Sequence, residues 1–329
     1  MSKRRDLVPA LVMVMAAVVL LAACASRAPG RPRVAPPVHP FPIDTLRVRL
    51  DGEIETIELD EYVAGCVVAE LGSVAVSVEA AVQIRDVQAI ICRSFAVASL
   101  GRHASEGFDV CAATHCQVFQ RVPATAIGRL ARRAAARTTG QILRAGGAVV
   151  RPVYHADCGG HTSSAEEVWG SPGDSYLVAQ AEPVCARRPG WQLTLPLARL
   201  EAILRDDSRL AVEGRLREVE IAGKDEAGRA MTLRLVGDRP RIVRGNDFRM
   251  AVLAALGPQS LRSTLFSLVR QGNSFTFAGR GNGHGVGLCQ AGATSRAARG
   301  DSAAAILAHY YPGTSISHGA GGPISPVGR

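Results

Sequence analysis

LDEYVAGCVVAEL, residues 59–71, reads as an apolar helix that ends on an acid. Tyr62, Val63, Cys66 and Val67 recur at helical spacing and form a stripe, with Asp60 placed to cap its start. Glu70 falls three and four residues after Val67 and Cys66, on that stripe rather than opposite it. A carboxyl in an apolar setting has its ionised form disfavoured and its pKa raised. That suits an acid that must deliver a proton near neutral pH. The plainer reading is a helix-end glutamate that reaches solvent or pairs with a neighbouring arginine, because buried charges are rare.

Upstream, Leu46–Leu50 and Glu53–Leu59 alternate on either side of Asp51-Gly52, the strongest short signal for a hairpin. Downstream, Ile84, Val87, Ile91, Phe95 and Ala98 step at helical spacing and predict a long buried helix over 78–100, closed by Gly101. Gln88 and Arg93 lie on it, and an arginine on a core helix calls for an anionic or substrate partner. A loop rich in Cys and His runs to about Gln120, followed by a basic helix over Ile127–Arg137. Strands are expected at Gln141–Leu143 and Ala148–His155, around Gly146-Gly147, and Asp157–Ser164 is a polar loop. Signals then weaken. Trp191–Leu195 reads as a strand, Pro196–Leu204 as a helix, Leu216–Ile221 with Met231–Leu235 as a hairpin, and Asn246–Ala255 as a helix. Thr264–Val269 and Ser274–Ala278 read as strands. A glycine run from Gly279 to Gly287 precedes two short helices, one from Cys289 and one capped by Asp301. The pattern predicts an α+β fold: a single mixed domain over residues 44–317, of long helices packed on antiparallel sheet, with a flexible tail over 318–329.

The start of the chain sets an address. Lys3, Arg4 and Arg5 precede an apolar run, and Leu21-Ala22-Ala23-Cys24 closes it in the manner of a bacterial lipoprotein signal. Residues 1–23 are therefore expected to be removed, leaving the mature chain anchored to membrane through lipidated Cys24. A plain signal peptide or a single membrane anchor is the alternative, though the run is short for a span. Residues 24–43, rich in proline, read as a semi-rigid tether. Ala25 after the cysteine favours the outer membrane, facing the periplasm, in a cell that has one. Net charge is +9, but Lys3, Arg4 and Arg5 against Asp6 account for two of these charges. Arg27, Arg31 and Arg33 account for three more, leaving about +4 on the folded part. That is too mild to argue for nucleic acid and suits a polyanionic envelope polymer.

His103, Cys111, His115 and Cys116 offer two imidazoles and two thiolates within fourteen residues, the donor set of a closed tetrahedral zinc site. In an oxidising compartment a disulfide is the competing reading. Eight cysteines less Cys24 leave seven, so complete pairing is impossible. Cys66, Cys92 and Cys289 read as buried thiols, while Cys158 and Cys185 suit a disulfide or a substitute ligand. The glycine run matches a phosphate loop only loosely and precedes no βαβ pattern. It reads either as backbone that approaches a ligand closely around His284, or as a glycine-rich turn with an incidental histidine.

Taken together these segments resemble the SpoIID family, of the sporulation stage II protein D and amidase-enhancer type. Glu61-Tyr62, Gly65 and Ala69-Glu70-Leu71 are similar to its E-Y-x-x-G-V-V-P-A-E-M segment. Gln88-Ala89 with Arg93-Ser94-Phe95-Ala96 is similar to its A-Q-A-V-A-A-R-T-Y-A helix. Asp109 to Gln117 resembles its D-x-C-x-x-T-H-C-Q loop, and His155–Thr162 with Val168-Trp169-Gly170 its C-G-G-x-T and V-W-G region. Gly279–Ala293 and Ile306–Gly313 resemble its G-R-G-W-G-H-G-V-G-M-S-Q-Y-G-A and I-L-x-x-Y-Y-P-G-T ending.

The resemblance implies a lytic transglycosylase, a lyase of the cell envelope that acts on peptidoglycan glycan strands, preferably ones stripped of peptides. Glu70 takes the position of the catalytic acid. It would protonate the oxygen between N-acetylmuramic acid and N-acetylglucosamine and then accept the proton of the muramic C6 hydroxyl, leaving a 1,6-anhydro end. The resemblance also implies a structural zinc ion on His103, Cys111, His115 and Cys116, and a sugar groove lined by Gln88, Arg93, Gln117, His284 and Gln290. Val68 stands where the family has Pro, Asp86 where it often has Lys, and Asn282, Cys289 and Ala291 where it has Trp, Ser and Tyr. The loss of two aromatics removes stacking faces for sugar rings. Two other functions compete: a non-catalytic glycan-binding module that stimulates or recruits a cell-wall amidase, and a zinc hydrolase. Four protein ligands argue against the hydrolase, which needs an open metal position.

Overall fold

Asp51 and Gly52 both adopt positive φ, 51° and 93°, and turn the chain between β1 (Thr45–Leu50) and β2 (Glu53–Glu58), as the alternation predicts. The computed structural model describes residues 43–170 and 174–318. The expected signal over 1–23, the lipidation site at Cys24, the tether up to residue 42 and the tail beyond His318 lie outside the described residues. His318 itself pairs with Gln141.

Helix α1 (Leu59–Leu71) leaves β2 directly and buries Tyr62, Val63, Ala64, Cys66 and Val67. With Val68 in place of proline it runs unbroken to Leu71, which puts Glu70 in its last turn. Its start departs from expectation: Glu58 precedes the first turn, and Asp60 lies within that turn. Gly65 is required where it stands, because a Cβ there would meet the ring of Phe119 and the carbonyl of Gln120. Phe119 in turn stacks on Tyr62 at 5.2 Å.

Helix α2 (Val78–Ala98), with Ser77 as its N-cap, is apolar almost all round, and the structure gives each side a partner. Ile84, Val87, Ile90 and Ile91 enter one hydrophobic cluster with Leu288, Ile306, Tyr310 and Tyr311. Ala89, Cys92, Ala96 and Val97 enter a second with Leu46, Val48, Tyr62 and Val67. Each such buried Val, Leu or Ile contributes about 1.5–3 kcal/mol. The second cluster is closed by helix α3 (Ala126–Arg137). A third cluster is drawn wholly from residues 191–277, including Trp191, Leu233, Phe248, Phe275 and Phe277. It gathers two three-stranded sheets and two helices, Leu197–Arg205 and Gly245–Leu256.

The fold is mixed α+β as expected, but the packing scheme differs. The described residues hold five small sheets of two or three strands rather than one sheet carrying the helices. Only α2, at 21 residues, is long. Two strand pairings among the described residues are parallel. One sets Val110–Cys111 beside β1, and the other sets Tyr154–His155 beside Leu288–Cys289. The second of these builds the candidate site. No helix among the described residues is long and apolar enough to cross a membrane.

Candidate functional site

Glu70 is half-buried, and its Oε1 accepts a hydrogen bond of 3.0 Å from the Tyr154 hydroxyl. The Gln290 amide stands close enough to favour its ionised form. Burial pushes the Glu70 carboxyl above its ordinary value, and the Tyr154 bond and the Gln290 amide only partly oppose that rise. Behind these partners lies a second layer. Gln117 Nε2 donates to the Tyr154 hydroxyl at 3.2 Å, and Gln290 Nε2 donates to Gln88 Oε1 at 3.3 Å. Gln88 and Gln117 are themselves buried, so their orientations are fixed by packing. The network joins α1, α2, the loop after Cys116, the Tyr154 strand and the helix Gln290–Ala298. Glu70 lies in neither of two surface hollows, one lined by Glu218–Ile221 and Arg270, the other by Glu55–Glu58, Phe119 and Arg121.

Three of the expected groove residues therefore converge on Glu70: Gln88, Gln117 and Gln290. Two do not. Arg93 is fully buried, and its guanidinium is spent inside the fold. One Nη donates to Thr138 O at 2.7 Å, the other to Ala135 O at 3.0 Å and to Asp60 Oδ1 at 2.8 Å. It closes the C-terminal carbonyls of α3, where a cation is favoured by the helix dipole. Asp60, expected as a cap, is instead its counter-ion. His284 is likewise committed: its Nε2 donates to Tyr154 O at 3.0 Å and its Nδ1 accepts from the Val286 N–H at 3.0 Å. This is the neutral tautomer, and burial holds its pKa well below the usual value. His284 fixes the backbone of Tyr154 and has no ring nitrogen left for a sugar.

The glycine run serves that same strand. At Gly287, with φ 68°, a Cβ would run into Val153 O, and at Gly283 it would stand 2.6 Å from the His155 Cβ. The close approach expected of these glycines is thus to the chain's own 153–157 segment. Tyr154 was not anticipated from the sequence, because nothing in a two-residue strand announces which way its side chain points.

The Cys/His loop forms a second cluster. His103 Nε2 lies 3.3 Å from Cys116 Sγ, and His115 Nδ1 lies 3.5 Å from Cys116 Sγ and 3.7 Å from Cys111 Sγ. Donor atoms of His103, His115 and Cys116 all lie within 4.8 Å of one another, a spacing near the roughly 3.6 Å between N and S ligands on a tetrahedral zinc ion, and Cys111 reaches this group through His115. His103 Nδ1 is held by Glu106 at 2.7 Å, and its ring stacks on Phe108, which leaves Nε2 facing the sulfurs. The parallel pairing of Arg49 with Cys111 sets this loop on the hairpin.

The chain is 27% identical over 285 residues to a stage II sporulation protein D of Bacillus amyloliquefaciens, covering 80% of this chain and 75% of that one. It is 28% identical over 265 residues to an uncharacterized protein of Brachyspira hyodysenteriae, covering 80% of this chain and 67% of that one. To an amidase enhancer of Bacillus subtilis it is 26% identical over 232 residues, which is 56% of this chain and only about a third (32%) of that protein. Residues 186–287 match a domain model of unknown function, DUF8618. That range encloses the third hydrophobic cluster. Residues 51–144, which include Glu70 and His103, Cys111, His115 and Cys116, match the SpoIID model, described as Stage II sporulation protein.

Proposed function

We propose that the chain cleaves peptidoglycan glycan strands, in peptide-stripped form, between N-acetylmuramic acid and N-acetylglucosamine by lytic transglycosylation, with Glu70 as acid and then base. The observation that carries this reading is the Glu70 carboxyl itself: half-buried, raised in pKa by that burial, and held by the Tyr154 hydroxyl with the Gln290 amide close by. Protonated, it gives its proton to the glycosidic oxygen as positive charge develops on the ring. Ionised by that transfer, it is stabilised by the Tyr154 hydroxyl and the Gln290 amide, and takes the proton of the C6 hydroxyl as that oxygen closes on C1. The nucleophile belongs to the sugar, so no second carboxylate is required to activate water. The sporulation and amidase-enhancer names of its relatives agree with a role at the cell wall, and lipidation at Cys24 would hold the enzyme in the envelope.

The test is digestion of purified, peptide-free glycan strands by the exported chain. Soluble fragments are expected. The amidase-enhancer relative favours one second reading, a module that binds glycan and stimulates a cell-wall amidase. That reading gives no fragments, and faster peptide release when an amidase is added.

The Tyr154 bond lowers the Glu70 pKa, so Tyr154→Phe raises it further. Activity falls as pH rises through the pKa of the acid, and in the variant that fall moves to higher pH. The rate below it drops about tenfold, the cost of one hydrogen bond of about 1.4 kcal/mol to a group that ionises in the reaction. A pH–rate profile of both proteins measures this.

His103, Cys111, His115 and Cys116 would hold zinc in a structural role, cross-linking the loop that carries Gln117. A closed four-ligand site leaves no position for catalytic water. Chelation is expected to lower Tm and activity together, with zinc restoring both. Loss of activity at unchanged Tm, followed in one thermal-shift and turnover series, would instead indicate a hydrolytic metal.

A further inference from the structure

Three cysteines that are far apart in sequence meet behind the Glu70 network. Cys158 lies in the turn after Tyr154–His155, Cys185 in the 3-10 turn Pro183–Arg187, and Cys289 directly before Gln290. Their relative exposures are 0, 1 and 0%. Cys185 Sγ and Cys289 Sγ are 3.6 Å apart. The three sulfurs and a carboxylate oxygen of Asp157 all lie within 4.8 Å of one another. Two sulfurs on one tetrahedral zinc ion, at about 2.3 Å each, stand about 3.8 Å apart.

Two further observations point to negative charge on these sulfurs. The first is the set of backbone donors aimed at them. The N–H groups of Cys158 and Gly292 donate to Cys289 Sγ at 3.2 and 3.4 Å, and that of Gly160 donates to Cys158 Sγ at 3.4 Å. Gly159 and Gly160, at φ 74° and 126°, wrap the turn so that this is possible. The second is Arg229, fully buried in the same region. One Nη donates to Cys158 O at 2.5 Å, while Nε and the other Nη have no hydrogen-bond partner. Asp225 stands near, but its carboxylate accepts from the Arg229 backbone N–H and from Ser163. A cation buried with two free donors calls for anionic neighbours, and thiolates on a metal supply them.

We infer that Cys158, Cys185 and Cys289, with Asp157 as the fourth donor, bind one thiophilic divalent cation of the zinc class. This site is separate from the Cys/His loop, and the inference does not depend on the proposed reaction. Asp157 Oδ1 accepts from the Gly159 N–H and Oδ2 from Arg188, each at 2.8 Å, which orients the carboxylate and leaves lone pairs for the ion. A disulfide between any two of the sulfurs would leave the third buried without a partner. The ion ties together the strand that carries Tyr154, whose hydroxyl donates to Glu70, and the helix that begins with Gln290, whose amide favours the ionised Glu70. Its role is to position them.

The test uses the full exported chain purified without chelator, and metal content measured by inductively coupled plasma mass spectrometry. Cys185→Ala is expected to lose one equivalent of zinc that Cys116→Ala keeps. If Cys185→Ala does not fold, zinc-edge X-ray absorption of the wild type decides: the mean sulfur coordination exceeds what the two-Cys, two-His loop alone provides. Alkylation in denaturant without reductant must then label Cys158, Cys185 and Cys289. Equal metal content in wild type and Cys185→Ala, sulfur coordination no higher than the loop gives, or a pair among these cysteines that resists alkylation until reduced would each overturn the inference.

Discussion

Glu70→Gln is expected to lower cleavage of glycan strands by about 10²–10⁴-fold, the usual worth of a positioned general acid, while glycan binding is retained. The amide keeps the shape and accepts from Tyr154, but has no proton to give. Stability moves the other way. The Glu70 pKa is raised on folding, from an ordinary 4.5, because burial disfavours the charge. The stability this group contributes is therefore present below the unfolded pKa and is lost as pH rises through the folded one. The variant should match the wild type under acid conditions and exceed it at neutral pH, with the gap opening above about 4.5. Denaturant titrations at several pH values read this directly. A variant less stable at neutral pH would mean that the carboxylate is paired rather than half-dry.

Arg93→Ala should have the largest effect on stability, about 3–5 kcal/mol, although Arg93 touches no substrate in this account. The change strips charge-assisted bonds from Thr138 O, Ala135 O and Asp60 at once, and opens a void between α1, α2 and α3. Asp60 is 40% exposed and can turn to water, which keeps the loss toward the lower end. Turnover per folded molecule should be near wild type. A groove residue would give the reverse: normal unfolding and a raised KM.

The contrast between Arg93 and Gln88 shows what the sequence could carry. Periodicity placed both on a buried helix, and correctly so, because an apolar stripe depends only on local spacing. It could not say which anion an inward arginine meets. The answer lies on α1, a different helix, and at the end of α3. The Asp51-Gly52 hairpin, the course of α1 past Val68 and the Cys/His cluster were legible for the same reason: each is local. Tyr154 was not. Its place against Glu70 depends on the parallel pairing with Leu288–Cys289, formed across the whole 191–279 segment. The Pro240–Arg244 strand was also missed, since its proline start and the arginines on either side of Ile242-Val243 leave only two apolar residues and no alternation. Asp86, which stands where the family often has Lys, is tied to Arg137 at 2.6 Å and joins α2 to α3.

The account stands on one carboxyl that serves both proton transfers while the sugar supplies its own nucleophile. Mass spectrometry of the fragment ends released from peptide-free glycan strands examines that claim most directly. Every new muramic end is expected to be the 1,6-anhydro form, one water lighter than a reducing end, and to be absent with Glu70→Gln. Ordinary reducing ends, showing that solvent had attacked the ring, would contradict it.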